Sequence, residues 1–178
     1  RGLGDVYKRQ DDNLFDKIKR ELRDSQDWSS IKKMAWVPAS GWLETQCPLS
    51  HHWIESVRES EIQLIRFHLT PPRGKLNIHI DGTLENPRVH ALNIPVMNYE
   101  NAFMRWYDYS DKSNWKNDYV EPREELYNAK GGVPIDESKC VVVDETIIDR
   151  PTLLRTDTPH SIDNPNNGVR VILSVRFK

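Results

Sequence analysis

The stretch KLNIHIDG (75–82) decides the fold, because it predicts a short β-strand that ends in a glycine turn. Side chains two positions apart on a strand point to the same face of a sheet. His79 and Asp81 are therefore expected side by side on one face. One short segment can thus present an imidazole and a carboxylate together.

Further stretches on both sides of it have the composition of short strands, separated by Pro, Gly, Asn and Asp. They are EIQLIRFHLTPP (61–72), RVHALNIPVMN (88–98), AFMRWYDYS (102–110), KCVVVDETI (139–147), PTLLRTDTPH (151–160) and VRVILSVRF (169–177). Seven or eight short strands at this spacing predict a mainly β protein with a double-stranded β-helix, the jelly-roll or cupin-like fold.

The N-terminal part of the sequence has a different pattern. NLFDKIKRELRDS (13–25) has apolar residues at helical spacing and predicts an amphipathic helix, and the tryptophan-rich stretch 28–44 is expected to pack irregularly against a sheet. We therefore divide the sequence into a supporting segment, 11–58, and a catalytic β-helix domain, 59–178. Residues 1–10 (RGLGDVYKRQ) resemble a translated sequencing adapter and are expected to be non-biological, with the true N-terminus missing. The polar stretch 111–138 predicts an excursion over the barrel mouth.

Composition excludes several classes of protein. The sequence has 25 Lys and Arg against 27 Asp and Glu, so no basic surface for nucleic acid is expected. No apolar run approaches the roughly 20 residues of a membrane-spanning helix. The two cysteines, Cys47 and Cys140, favour reduced thiols and a cytoplasmic location, although a disulfide between them stays open. The sequence does not predict an oligomeric state.

A third residue completes a set with the chemistry of a metal site. His160 lies between Pro159 and a turn. Together with His79 and Asp81 it makes two histidines and one carboxylate, a set that can occupy one face of an Fe(II) octahedron. Arg170 follows His160 by ten residues, near the start of the last strand, which is expected beside the strand that carries His160. Its guanidinium can bind a carboxylate bidentately, which suits the distal end of a dicarboxylic acid. Alone, each residue has an ordinary structural explanation, but the ordered set predicts an iron site.

Arg88 and His90 form a second polar group. They alternate in NPRVHALNIPV (86–96), with Leu92 and Ile94 continuing the same face. If this face is inward, burying Arg88 and His90 costs several kcal/mol unless an anion pairs with them. The alternative is that both are exposed on the outer face of the strand.

The ordered set His79, Arg88-Val89-His90, His160 and Arg170 resembles the Fe(II)/2-oxoglutarate-dependent oxygenases. It is most similar to their aspartyl/asparaginyl β-hydroxylase-like branch, which includes bacterial hydroxylases of free proline. The resemblance covers residues 60–178. The animal peptide hydroxylases of this branch lack the carboxylate ligand, whereas Asp81 is present here, as in the free amino-acid hydroxylases and the wider superfamily.

This resemblance implies a function and roles for its residues. His79, Asp81 and His160 would bind Fe(II), Arg170 and His90 would bind 2-oxoglutarate, and Arg88 would face the substrate, with Trp106 and Tyr107 as further substrate-binding candidates. The implied activity is hydroxylation of an unactivated C–H bond of an amino acid or a peptidyl side chain, with release of succinate and CO2. Two alternatives stay open: a metal-dependent cupin isomerase or epimerase, against which Arg170 argues, and a non-catalytic jelly-roll binding module.

Overall fold

A computed structural model describes residues 12–30, 33–58, 60–81, 89–109, 132–135 and 137–178. Within these ranges the helices are α1 (Asp12–Asp24), α2 (Ser40–Gln46) and α3 (Pro48–Val57). The strands are β1 (Ala35–Pro38), β2 (Ile62–Thr70), β3 (Lys75–Asp81), β4 (His90–Met97), β5 (Phe103–Tyr109), β6 (Gly132–Pro134), β7 (Cys140–Ile147), β8 (Thr152–Arg155), β9 (His160–Asp163) and β10 (Arg170–Phe177).

The strands form two antiparallel sheets of five strands each, in the orders β1-β2-β10-β4-β8 (sheet A) and β6-β3-β9-β5-β7 (sheet B). Apart from the short edge strands β1 and β6, β2-β10-β4-β8 lies in one sheet and β3-β9-β5-β7 in the other. The chain enters sheets A and B in turn from β2 to β5 and again from β7 to β10. This topology is the double-stranded β-helix, so the predicted fold is confirmed.

One face of sheet A packs against the helices. Val171, Leu173 and Val175 of β10 share a buried core with Ile18 and Leu22 of α1, which confirms the predicted amphipathic helix. Because side chains alternate along a strand, the other face of β10 carries the intervening residues. That face, which includes Arg170, Ile172, Ser174 and Arg176, points into the space between the sheets.

Two stretches differ from the sequence-based expectation. The strand predicted over 151–160 is wrong, because β8 and β9 belong to different sheets and residues 156–159 cross between them. Pro159, which has no N–H to donate to a ladder, ends this crossing. The stretch 28–44 is more regular than expected, since it contains β1, which extends sheet A beside β2, and most of α2.

The neighbours of β10 also correct the expected position of Arg170. β10 pairs with β2 and β4, whereas His160 begins β9 in the other sheet. The expectation that these two strands lie side by side is therefore wrong, and the two residues belong to facing sheets.

Parts of two sequence-based predictions lie outside the described residues. Of the predicted excursion 111–138, the structure describes 132–135 and 137–138, including β6, which pairs with β3. The proposed leader 1–10 also lies outside the described residues. Among the helices that are described, none combines the length and apolar character needed to cross a membrane.

Candidate metal centre and anion pocket

Sheet B brings the three predicted metal ligands together. His79 of β3 is directly opposite His160 of β9, and Asp81 follows two residues along the same face of β3. One ligand atom from each of the three residues lies within 4.8 Å of the other two. All three side chains are buried, with exposed fractions of 6% for His79, 3% for Asp81 and 3% for His160. The donor set and its spacing fit a metal bound by two histidines and one carboxylate.

Backbone carbonyl groups fix the orientation of both imidazoles. His79 Nδ1 lies 2.8 Å from the carbonyl oxygen of Asn77, and His160 Nδ1 lies 2.8 Å from that of Thr158. A carbonyl oxygen only accepts, so each Nδ1–H is the donor and each Nε2 keeps its lone pair. A hydrogen bond of this kind selects the tautomer of a metal-binding histidine. Both rings therefore offer Nε2 as the ligand atom.

The surroundings keep these imidazoles neutral. Burial lowers the pKa of His160 to about 3, helped by the neighbouring His79 and opposed by Asp81. Burial likewise lowers the pKa of His79, partly offset by the charge of Asp81. Since only the neutral imidazole can bind a metal, both ligands are ready to do so at neutral pH.

Asp81 is held by a buried cation that the sequence analysis did not single out. Arg176 Nη2 lies 2.5 Å from Asp81 Oδ2, as an ion pair without the directional geometry of a hydrogen bond, and Arg176 Nη1 donates to Thr156 Oγ1 at 3.0 Å. Burial alone would raise the pKa of Asp81, but the nearby charge of Arg176 opposes this effect, and the net result is a pKa below the usual value. The Asp81 side chain is therefore a charged carboxylate at neutral pH.

Arg170 has a different environment. Its side chain is 1% exposed, and its Nε, Nη1 and Nη2 atoms have no hydrogen-bond partner among the described residues. Burial lowers the pKa of Arg170 to about 10, which leaves it charged at neutral pH. A buried, unpaired charge is costly, and a bound carboxylate would offset that cost.

Arg66 and His68 of β2 add a third cation and a neutral imidazole to the same interior. Arg66 pairs with Ser174 across the strands and His68 pairs with Ile172, which places both on the inner face of sheet A. Arg66 Nε donates to His68 Nε2 at 2.8 Å, so the hydrogen on His68 is carried by Nδ1. Burial and the charges of nearby arginines, Arg66 first, lower the pKa of His68 well below its usual value.

The structure does not bring His90 to Arg170. His90 begins β4, and Leu92 and Ile94, which share its face, belong to the core beneath the helices. Strand alternation therefore places His90 on the helix side of sheet A, opposite the face that carries Arg170. Arg88 lies outside the described residues.

The two aromatic candidates lie on opposite faces of sheet B. Trp106 is directly opposite His160, and its Nε1 donates to the carbonyl oxygen of Arg155 at 3.0 Å. It therefore shares the inner face with the metal ligands. Tyr107 is buried with its hydroxyl 2.8 Å from Ser161 Oγ, and Ser161 follows His160 in β9. Its side chain is thus on the outer face, away from the histidine pair.

A pattern in the sequence could have identified the additional interior residues. β2 reads Arg66, His68, Thr70 at every second position, and β10 reads Arg170, Ile172, Ser174, Arg176. The positions between these residues are apolar, namely Phe67 and Leu69 in β2 and Val171, Leu173 and Val175 in β10. Polar residues with period two among them indicate a sheet whose inner face lines a site. The separation of six residues between Arg170 and Arg176 places both on that face.

Comparisons with protein-family models and with curated proteins each found no match. Solved structures with a similar fold include two prolyl hydroxylases. One is from Trichoplax adhaerens, in complex with a hypoxia inducible factor oxygen degradation domain peptide fragment; it is 14% identical, with a TM-score of 0.46, over 93% of this chain and 76% of that chain. The other is a viral collagen prolyl hydroxylase from Paramecium Bursaria Chlorella virus-1 in complex with 2OG; it is 11% identical, with a TM-score of 0.37, over 94% and 90% of the chains.

An enzyme of another class is similar to the same degree. It is an L-ribose isomerase mutant from Acinetobacter sp. DL28 in complex with L-ribose, 15% identical, with a TM-score of 0.37, over 93% of this chain and 66% of that chain. At these identities and TM-scores, the three structures carry no argument about the activity of this chain.

Proposed function

We propose that this chain is an Fe(II)- and 2-oxoglutarate-dependent dioxygenase that hydroxylates an unactivated C–H bond of an amino acid or a peptidyl side chain. The observation that carries the proposal is the pairing of two buried features in one interior. His79, Asp81 and His160 form a metal-binding group, and Arg170 on the facing sheet is a buried cation without a hydrogen-bond partner among the described residues.

The metal-binding group fits Fe(II) by its chemistry. Two neutral imidazoles and one carboxylate form a facial set of ligands and leave three coordination positions that the protein does not fill. Arg176 keeps Asp81 charged, and the carbonyl groups of residues 77 and 158 bind Nδ1 of both imidazoles, so that each Nε2 would be free to bind the metal. The chain thus supplies three ligands with fixed charge and orientation.

Arg170 fits the remote carboxylate of 2-oxoglutarate. A guanidinium has donors only and binds a carboxylate through a planar fork. The co-substrate would therefore supply the hydrogen-bond partner that Arg170 does not have among the described residues. An isomerase or epimerase of the same fold would have no need for such an anchor. When bound, iron and 2-oxoglutarate supply the oxidation of the C–H bond by O2, with release of succinate and CO2. The residues of the chain orient both reactants and exclude water from the interior between the sheets.

We also propose a role for each of the remaining candidates. His90 would help to bind 2-oxoglutarate, and the substrate would contact Arg88, Trp106 and Tyr107. Trp106 is the best placed of the three substrate-binding candidates, because it shares the inner face of sheet B with His160. His90 would need to reach the co-substrate from the helix side of sheet A, so Arg170 is the principal anchor in this proposal.

The test is an anaerobic titration of the protein with Fe(II) and 2-oxoglutarate, in which the chelate gives a weak visible charge-transfer band. His79→Ala and His160→Ala should both abolish the band and the formation of succinate, with the far-UV circular dichroism spectrum unchanged. The Asp81→Ala variant should bind iron more weakly than the wild type, and its turnover of 2-oxoglutarate should be severely impaired. The exposed His52 of α3 offers the matched control, His52→Ala, which should keep the band.

The outcomes separate the alternatives. Undiminished succinate formation in either histidine variant would overturn the assignment of the metal ligands. Metal binding without any response to 2-oxoglutarate would favour the isomerase or epimerase, and the absence of metal binding would favour a non-catalytic binding module.

A further inference from the structure

A row of polar side chains crosses the inner face of sheet A between Arg170 and Arg176, the residue that pairs with Asp81. Ser174 of β10 is directly opposite Arg66 of β2 on one side and Asn93 of β4 on the other. We call these three residues the polar belt. Neighbouring strands lie about 4.8 Å apart, so the belt spans about 10 Å on adjacent strands. Along β10 it lies two residues from Arg176 and four from Arg170.

Two members of the belt are buried without partners. Ser174 is 0% exposed and Asn93 is 4% exposed, and Ser174 Oγ and Asn93 Oδ1 have no hydrogen-bond partner among the described residues. Buried polar atoms in native proteins are nearly always satisfied, and an apolar side chain of similar size would be more stable at either position. A bound ligand would satisfy both atoms.

The third member of the belt has a fixed orientation. The side chain of Arg66 is 9% exposed, and its Nε–H, one of five donors, is directed at His68. Its guanidinium carbon lies 5.9 Å from the ring centroid of Trp36 on the edge strand β1. The rings of Trp36 and His68 meet edge to face at 6.5 Å. Arg66 is therefore a cation held against an aromatic wall at the β1 side of the interior.

The belt differs in chemistry from Arg170. A guanidinium only donates, but the amide of Asn93 and the hydroxyl of Ser174 each donate and accept. A complementary ligand has a carboxylate for Arg66 and, beside it, a group with an N–H or O–H donor for Asn93 Oδ1. The dianion of 2-oxoglutarate has acceptors only, so it leaves that atom unsatisfied.

We propose that the polar belt binds the prime substrate, and that this substrate is a small amino or hydroxy acid with a free carboxylate on Arg66. The assignment of this ligand as the molecule to be hydroxylated rests on the proposed function. The binding of such an acid to the belt does not.

The first measurement is the thermal stability of the ligand-free protein. If Asn93 and Ser174 are kept for a ligand, Asn93→Leu and Ser174→Ala should leave Tm unchanged or raise it by about 2–4 °C. A residue kept for structure would instead lower Tm when replaced. Gln63→Leu makes a comparable change at an exposed position of β2 and serves as the control. A fall in Tm for both belt variants, with Gln63→Leu neutral, would overturn the proposal.

The second measurement is ligand binding by the Zn(II)-loaded, 2-oxoglutarate-saturated protein. The probes are the free L-amino acids and their α-hydroxy acid analogues, each compared with its carboxamide in a thermal-shift assay. At least one acid should raise Tm, its carboxamide should not, and Arg66→Gln and Asn93→Leu should each weaken binding of the acid about tenfold or more. The control Arg58→Gln, which removes an exposed charge, should bind the acid as the wild type does.

Titration with 2-oxoglutarate alone distinguishes the belt from the co-substrate site. Asn93→Leu should keep its affinity for 2-oxoglutarate within about twofold, whereas Arg170→Gln should lose about tenfold or more. An equal loss in both variants would assign the belt to the co-substrate and overturn the proposal, as would a panel in which no acid binds. If 2-oxoglutarate does not bind the wild type, the proposed function is wrong. In that case the titration with the acids is repeated without 2-oxoglutarate, and it still decides whether the polar belt binds an acid.

Discussion

Three buried arginines give the interior between the sheets its charge. Arg176 is paired with Asp81, Arg66 is directed at His68, and Arg170 has no hydrogen-bond partner among the described residues. Asp81 is the one acidic side chain among the buried residues that the structure describes. Among the described residues, the interior thus holds more buried arginines than buried carboxylates, and this balance favours anionic ligands, because a carboxylate replaces the hydration that a buried guanidinium has lost.

Arg170→Lys tests the geometry of the proposed co-substrate anchor separately from its charge. Lysine keeps the charge but cannot form the planar bidentate fork, and a hydrogen bond to a charged group contributes about 1.5–3 kcal/mol. We therefore expect the variant to keep its affinity for Fe(II) and to raise the apparent Michaelis constant for 2-oxoglutarate about tenfold or more. Steady-state succinate formation measures that constant. An unchanged constant would mean that Arg170 does not bind the co-substrate.

At the scale of the elements, one asparagine joins the turns that position both halves of the site. Asn164, which is 0% exposed, follows β9, and its Nδ2 donates to three backbone carbonyl oxygens. These belong to Thr70 (3.1 Å), Pro71 (2.9 Å) and Gly168 (3.0 Å). Thr70 is the last residue of β2, Pro71 begins the turn to β3, and Gly168 lies just before β10. The start of β3, which carries His79, and the start of β10, which carries Arg170, are thus held together.

Asn164→Ala should weaken this connection. Each buried carbonyl left without a donor costs about 1–3 kcal/mol, so we expect a loss of at least that amount in the free energy of unfolding, measured by urea denaturation. Asn167→Ala is the control, because the exposed Asn167 accepts its bonds from the exposed Arg73 and should change stability by less than about 0.5 kcal/mol. Equal effects of the two substitutions would show that the buried bonds are not the cause.

The same elements show what could be predicted from the sequence and what could not. Period-two alternation and turn residues predicted β3, β5, β7 and β10 within one residue. The spacing of His79, Asp81 and His160 predicted a group that the fold brings close enough together to hold a metal ion. The alternation did not give the partner of a strand, which depends on pairing between distant segments. For this reason the sequence predicted Arg170 beside His160 and did not decide whether the face of His90 points inward. Arg176 was missed because its role depends on Asp81 in the facing sheet.

At the scale of the whole molecule, the interior combines charged arginines with histidines that folding keeps neutral. His160, His79 and His68 all have pKa values below that of an unfolded histidine, mainly because of burial, and that of His160 is about 3. Below about pH 6.5 an unfolded chain takes up protons on these residues, whereas the folded chain does not until its own, lower pKa values are reached. The folded state therefore loses stability as the pH falls.

The pH dependence of stability tests this property of the metal-free protein. Between about pH 6.5 and its folded pKa, a buried neutral histidine such as His160 should lower the free energy of unfolding by about 1.4 kcal/mol per unit of falling pH. Urea denaturation at a series of pH values from 7 down to about 4.5 measures the slope. His160→Gln removes one such group, so its slope should be shallower by about that amount, whereas the control His52→Gln, at an exposed position of α3, should match the wild type. If His160→Gln and the wild type lost stability in parallel, His160 would take up its proton at the same pH in the folded and unfolded protein, which would contradict a buried imidazole that folding keeps neutral.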